Sequence, residues 1–183
     1  MFVEFLIAFL PVYVFFLCLL QLAVLFSVRL VSEHAAISAA RAAAVVLAER
    51  NPRRYGGEKP HTFSTSSGPR HEAIRNAALL SLSPFILNGF IDTVTVSFPA
   101  GDKPLGSAQR GTVKVSPMTD HKVSKVRVRL EVEALCRIGV ANLIACALPL
   151  YLVDRKHGYV NPLAPTVPIT TEAVFPYQGA SYE

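Results

Sequence analysis

The stretch FLIAFLPVYVFFLCLLQLAVLFSV, residues 5–28, decides how this chain is organised. It runs for about 24 residues without a charged side chain, or about 36 Å of helix, which is long enough to span a bilayer. An alanine-rich segment follows Arg29 and continues to Arg50 without Gly or Pro. Asn51-Pro52 ends the pattern, because a proline disfavours helix in the residue before it. We predict one helix of roughly 48 residues, with its half at 1–30 in lipid and its half at 31–51 in water.

The rest of the chain predicts a loop, a short helix and several strands. Residues 52–90 hold a loop rich in Gly, Pro, Ser and Thr, then a helix from Pro69 or Arg70 to about Leu82, which Pro84 ends. Residues 91–183 alternate between apolar and polar side chains near 93–98, 113–115, 126–134 and 169–175, as in antiparallel strands with one buried face. The clearest strand places one set of residues on its buried face and another on its wet face: Val126, Val128, Leu130, Val132 and Ala134, against Arg127, Arg129, Glu131 and Glu133.

These elements predict an α+β protein in which a long N-terminal helix, its first half transmembrane, packs on a small antiparallel β-sheet of four strands. The alanine face of the helix is the expected cover for the apolar face of the sheet, because alanine lets another backbone come close.

Composition and charge exclude several classes of function. The 183 residues carry a net charge of +5, but no basic run alternates with aromatic residues, so nucleic-acid binding has no support. We expect a solvated or headgroup-facing surface for the basic residues near the end of the long helix and in the segment after it. The apolar run is too long for a cleavable signal peptide and lacks a basic n-region, which favours a membrane anchor. Those basic residues are Arg41, Arg50, Arg53, Arg54, Lys59, Arg70 and Arg75.

Catalytic and cofactor motifs are missing from the sequence. The five histidines have no metal-ligand spacing, and there is no GxSxG, P-loop or GxGxxG pattern. We therefore predict a protein that is not an enzyme, with no cofactor, no metal and no small-molecule substrate.

Two cysteines stand about 10 residues apart in an apolar segment after the clearest strand. A disulfide between Cys136 and Cys146 suits an oxidising compartment, while a zinc pair or two free thiols are the alternatives. Cys18, in the membrane run, is expected to act as a small apolar residue. The surrounding stretch, 135–153, is interrupted by Arg137, Asn142 and Pro149. It predicts an apolar excursion that packs on the sheet or docks on a partner, with a second membrane span as the alternative.

Several parts of the sequence together resemble the type IV pilin superfamily. They are Val3-Glu4-Phe5-Leu6, Pro11, Ala35 to Ala48, the strand pattern and the ending FPYQGA at 175–180. Within it, the likeness is to TadE/TadG-like pseudopilins of tight-adherence (Tad, or Flp) pilus machines. The resemblance implies a pilin-like fold, assembly through Glu4, Phe5 and Pro11, and a disulfide-clipped excursion. Members begin with a short basic leader ending in Gly, cut so that the glutamate is fifth. Here the glutamate is fourth and neither Gly nor a basic residue precedes it, so the cleavage site cannot be read from these residues.

The resemblance implies a minor pseudopilin, a structural protein of cell adhesion or secretion, at the tip or in the initiation complex of a type IV filament. Its partners would be the inner membrane, other pilin or pseudopilin subunits and the assembly machinery, with the C-terminal domain in the periplasm. A single-pass membrane protein with an extracytoplasmic binding or sensory domain is the alternative, because it shares the layout. A major pilin is disfavoured, because Tad major pilins are usually very short.

Overall fold

The computed structural model combines a long N-terminal helix with a shorter helix and two small β-sheets. It describes residues 2–49, 51, 53–57, 62–64, 67–99, 112–114, 124–138, 144, 146 and 166–177. The three-stranded antiparallel sheet has the order β2-β4-β5, and β1 and β3 form a separate antiparallel pair. The predicted α+β class is confirmed, with these elements: α1 Phe2–Ala48, β1 Thr62–Ser64, α2 Pro69–Leu87, β2 Ile91–Ser97, β3 Thr112–Lys114, β4 Ser124–Leu135 and β5 Thr166–Tyr177.

The small pair of strands corrects two predictions. β1 lies inside the segment predicted as a loop, where Phe63 stands opposite Val113 of β3. The Ser- and Thr-rich composition around β1 indicates a loop, yet β-branched and aromatic residues also suit strands. Because β3 pairs with β1, the main sheet has three strands instead of the expected four.

Helix α2 runs past the proline that was predicted to end it. Gly68 O accepts the first helical hydrogen bond from Glu72 N at 2.9 Å, so the helix begins at Pro69 as predicted. It then continues through Pro84 to Leu87. Pro84 has no N–H to offer Leu80 O, but Ser83 Oγ donates a hydrogen bond to that carbonyl at 2.9 Å. The neighbouring serine therefore satisfies the acceptor that proline leaves.

The chain divides into two compact units, of which the second holds Val31–Pro84, Val94–Glu131 and Thr170–Glu183. In this unit α1 buries its alanine face against other elements. Ser38 Oγ lies 3.0 Å from Ser81 Oγ of α2, and Thr171 Oγ1 of β5 donates to Ser32 O at 3.3 Å. Side chains without bulk permit these close approaches, and the buried alanines are Ala35, Ala36, Ala39, Ala40 and Ala43.

The alternation predicted for β4 is present, with its two arginines as exceptions on the polar face, because the side chains of both are mostly buried. Val128 and Leu130 are fully buried, and Glu131 and Glu133 are exposed. Arg129, expected on the wet face, is only 8% exposed. Glu172 of β5 explains this, because its Oε1 lies 2.6 Å from Arg129 Nη2 and 2.7 Å from Arg129 Nε. A carboxylate on the neighbouring strand allows the guanidinium to leave water.

Candidate functional site: the exposed half of the N-terminal helix

The first unit holds Met1–Leu30, Phe85–Thr93 and Val132–Ile169. It begins with an apolar stretch of helix whose side chains are largely exposed. None of residues 3–20 is buried, over about 27 Å of helix. Among the described residues, α1 is the one helix whose length and composition would allow it to cross a membrane, and none of its most apolar window is buried. The range 1–30 expected for the lipid half stays a prediction, and the first fully buried residue that the structure describes within it is Gln21.

The three predicted assembly residues lie near the start of this run. Glu4 is exposed in the first turn of α1, where a carboxylate interacts favourably with the positive end of the helix dipole. Pro11 follows about two turns later and does not end the helix. Residues seven apart share a helix face, so Glu4 and Pro11 lie on one face and Phe5 lies on the next.

A ladder of stacked aromatic rings runs along the same exposed segment. The Phe5 and Phe9 ring centroids are 5.6 Å apart with 14° between the planes, and Phe9 and Tyr13 are 5.9 Å apart at 20°. All three side chains are exposed. This ladder was not predicted from the sequence, although the three aromatics stand at the i, i+4 spacing that brings side chains together on a helix. The ladder gives the helix a flat apolar ridge for lipid tails or other helices.

The exposed run ends at a buried amide. Gln21 is fully buried, and its Oε1 accepts a hydrogen bond from Ile138 N at 3.2 Å. Its Nε2 has no hydrogen-bond partner in the part of the chain that the structure describes. The signal for this contact in the sequence is a single amide inside an otherwise apolar run, and the contact was not predicted from it. Gln21 therefore marks the point where the folded part of the first unit starts along α1.

The apolar excursion begins with a disulfide beside this contact. Cys136 and Cys146 are bonded, with Cα atoms 6.5 Å apart, and both are buried. Sulfur atoms bonded to each other do not supply the thiolates that zinc needs. Most of residues 139–153 lie outside the described part of the chain, so the alternative of a second membrane span stays open.

An arginine next to this disulfide fastens the turn between α2 and β2. Arg137 Nη1 donates to Asn88 O at 3.3 Å and to Gly89 O at 3.4 Å. Gly89 has φ 68°, and a side chain there would collide with Arg137 Nη1. The exposed Arg137 is therefore held at one place in the first unit.

In the second unit, a buried arginine closes the other end of α1. Arg70 was expected on a solvated surface, but it is fully buried and donates to the carbonyl oxygens of Val46 and Glu49 at 2.6 and 2.9 Å. Tyr55 packs on its guanidinium and donates its hydroxyl to Glu49 Oε2 at 3.1 Å. Burial, and then this hydrogen bond to a carboxylate, raise the pKa of Tyr55 above its usual 10.0.

The described residues hold no group of three or more His, Cys, Asp or Glu side chains placed to bind a metal ion. What they present instead is an apolar helix with an acid in its first turn. Comparison of this chain with protein-family models, with curated proteins and with solved structures finds no match.

Proposed function

We propose that this protein is a minor pseudopilin that assembles through α1 into a Tad-type pilus or a related secretion machine, at the tip or in the initiation complex. The observation that carries the proposal is the exposed Glu4 at the start of an apolar helix, in which no side chain of residues 3–20 is fully buried. Such a helix needs lipid around it while the subunit is stored. It needs the helices of other subunits once the subunit is assembled.

The exposed ridge of Phe5, Phe9 and Tyr13 supports a helix-packing role. Stacked rings four residues apart form a stiff apolar surface, and each pair adds only about 0.2–0.5 kcal/mol to the helix itself. The larger gain from these rings would come on contact with a neighbouring helix, where aromatic side chains bury a large area.

Glu4 gives such a contact its chemical specificity. A carboxylate in the centre of a bilayer is disfavoured by roughly 2.5–3.5 kcal/mol on insertion scales, so among packed helices it should adjoin a cation. By resemblance, the cation would be the free N-terminal amine of a processed subunit, either its own or a neighbour's. As a headgroup-level carboxylate it would aid only its own helix, by under about 1 kcal/mol.

Substitution of Glu4 tests the assembly role. Glu4→Ala should still enter the membrane, because the apolar run of about 24 residues is unchanged, and carbonate-resistant pelleting measures this. Co-purification with other pilus components, or pilus production, should fall sharply. Glu33→Ala is the matched control, because it removes an exposed carboxylate from the same helix beyond the apolar run. Normal assembly by Glu4→Ala would instead favour a membrane-anchored extracytoplasmic binding or sensory protein.

The proposal includes an inner-membrane location with the C-terminal part in the periplasm. The disulfide between Cys136 and Cys146 supports it, because such bonds persist in oxidising compartments. A reporter fused after Glu183 should be active only outside the cytoplasm. Cytoplasmic activity there, together with outside activity of a fusion after Gly101, would show that residues 135–153 cross the membrane.

A further inference from the structure

The distance between two polar residues of α1 determines how deeply the folded part of the first unit lies in a bilayer that α1 spans. Glu4 and Gln21 are separated by about 17 residues of helix, or roughly 26 Å, whereas the hydrocarbon core of a bilayer is about 30 Å thick. Tilt of the helix shortens its reach across the bilayer further. A membrane of ordinary thickness therefore cannot leave both residues outside its hydrocarbon core.

The surroundings of the two residues decide which of them enters the membrane. An ionised Glu4 is strongly disfavoured in hydrocarbon. Gln21 is fully buried against its own unit, where its Oε1 accepts from Ile138 N. Beyond it, Leu22 and Phe26 are exposed, and the next charge along α1 is Arg29, roughly 12 Å further on. The end of the first unit at Gln21 can thus enter lipid at a lower cost than Glu4.

Other exposed apolar side chains of this unit are connected to Gln21 through hydrogen bonds, the peptide chain and the disulfide loop. Ile138 N donates a hydrogen bond to Gln21, and the side chain of the preceding Arg137 donates hydrogen bonds to the carbonyls of Asn88 and Gly89. Leu87, next to this turn, is 86% exposed, and Ile144, inside the disulfide loop, is 45% exposed. Both residues belong to the same compact unit as Gln21 and the apolar run of α1. We define the collar as Leu22, Phe26, Leu87, Ile144 and the exposed cation Arg137.

We propose that the collar is seated in the bilayer, at the boundary between headgroups and acyl chains of the leaflet on the side of the folded part. Its apolar side chains meet acyl chains, and Arg137 meets lipid phosphate, as is typical of basic residues at that depth. The inference goes beyond the proposed assembly role and does not rest on it. It requires only that α1 spans a bilayer.

The absence of tryptophan from the chain gives a direct test. Leu87→Trp places a single fluorophore in the collar of the full-length protein, in phosphatidylcholine/phosphatidylglycerol vesicles at high lipid-to-protein ratio. Val12→Trp, 65% exposed within the apolar run, marks the lipid interior. Val45→Trp, 68% exposed and roughly 24 Å along α1 beyond Arg29, marks water. Quenching by brominated lipid and by acrylamide is measured for all three.

We expect brominated lipid to quench Leu87→Trp at least about twofold, as it quenches Val12→Trp, and acrylamide to quench it several-fold less than Val45→Trp. Quenching of Leu87→Trp by acrylamide alone would overturn the proposal. So would protection from both quenchers, which would indicate a protein neighbour, and so would a Val12→Trp that brominated lipid does not reach.

A second variant removes the risk that Leu87→Trp disturbs the fold. Phe26→Trp replaces one exposed aromatic of the collar with another, and its helical circular dichroism should match that of the wild type. Brominated lipid should quench Phe26→Trp as it quenches Leu87→Trp. Quenching of Phe26→Trp by acrylamide alone, as expected for Val45→Trp, would also overturn the proposal. Normal assembly by Glu4→Ala, which would refute the pseudopilin role, leaves all these signals unchanged.

Discussion

Arg70 Nη1 donates a hydrogen bond to the carbonyl oxygen of Val46 at 2.6 Å, and so the first turn of α2 closes the last turn of α1. The last four carbonyls of a helix have no partner within it. Arg70 also donates to Leu47 O at 3.3 Å and to Glu49 O at 2.9 Å. Its charge lies at the negative end of the helix dipole, and the ring of Tyr55 covers it at 4.9 Å. One side chain thus satisfies three carbonyls near the end of α1.

We predict that Arg70→Met lowers the free energy of unfolding by about 3 kcal/mol, because buried carbonyls lose a charged donor. The methionine keeps much of the side-chain volume, so the effect reports hydrogen bonding more than packing. Thermal unfolding followed by circular dichroism in detergent measures it. Arg75→Met is the matched control on the exposed side of α2 and should change stability by less than about 0.5 kcal/mol. Equal losses in the two variants would contradict the closing role.

The raised pKa of Tyr55 predicts how stability responds to alkali. The folded state holds the phenol proton more tightly than the unfolded chain, whose pKa is 10.0. The corresponding stabilisation is therefore complete below about pH 10 and is lost as the pH rises through the folded pKa. Tyr55→Phe should show a shallower fall in unfolding free energy above pH 10 than the wild type. Titration of lysines is common to both proteins, so only the difference between the two curves is informative, and identical curves would refute the assignment.

The elements that could be predicted from the sequence are those whose signal is local. α1 ends at Ala48, close to the predicted end. The unbroken apolar and alanine-rich run lies within the helix, and the proline that disfavours its continuation follows a few residues later in the sequence. β4 shows its apolar alternation over 12 residues in the strand itself. Glu4, Phe5 and Pro11 were proposed from an N-terminal pattern that resembles that of type IV pilins. The structure places them on the exposed helix, and their role stays a prediction.

The contacts that could not be predicted depend on residues far apart in the chain. Arg70 reaches Val46 across 24 positions, Arg129 reaches Glu172 across 43, and Gln21 meets Ile138 across 117. Periodicity within a window of 11–18 residues does not carry such pairings. A charged side chain is then predicted to lie in water, and a single amide in an apolar run leads to no prediction. Both kinds of side chain are nevertheless buried once the chain folds. The collar likewise combines segments that only the fold brings together.

The ion pair between β4 and β5 provides another prediction. Glu172 lies 2.6 Å from Arg129 Nη2 and 3.9 Å from Arg127 Nη1, and all three side chains are mostly buried. Glu172→Gln removes the negative charge between two guanidinium groups, and we expect a loss of about 2–3 kcal/mol, measured by thermal unfolding. Glu133→Gln changes an exposed carboxylate of β4 and should be nearly neutral. A similar small effect of both substitutions would show that the buried carboxylate contributes little.

The disulfide provides the last prediction, and its chemistry separates it from the free cysteine of α1. Cys136 and Cys146 close a loop across 10 positions, whereas Cys18 is free. Mass spectrometry of unreduced peptides should find the two loop cysteines linked, and thiol labelling of denatured protein should find one reactive group. Removing such a bond from a small domain costs about 2–5 kcal/mol, so Cys136→Ser with Cys146→Ser should lower the unfolding temperature markedly. Cys18→Ala is the matched control and should change it little, since its side chain is only half-buried in the apolar helix. Three reactive thiols in protein purified without reductant would exclude the bond.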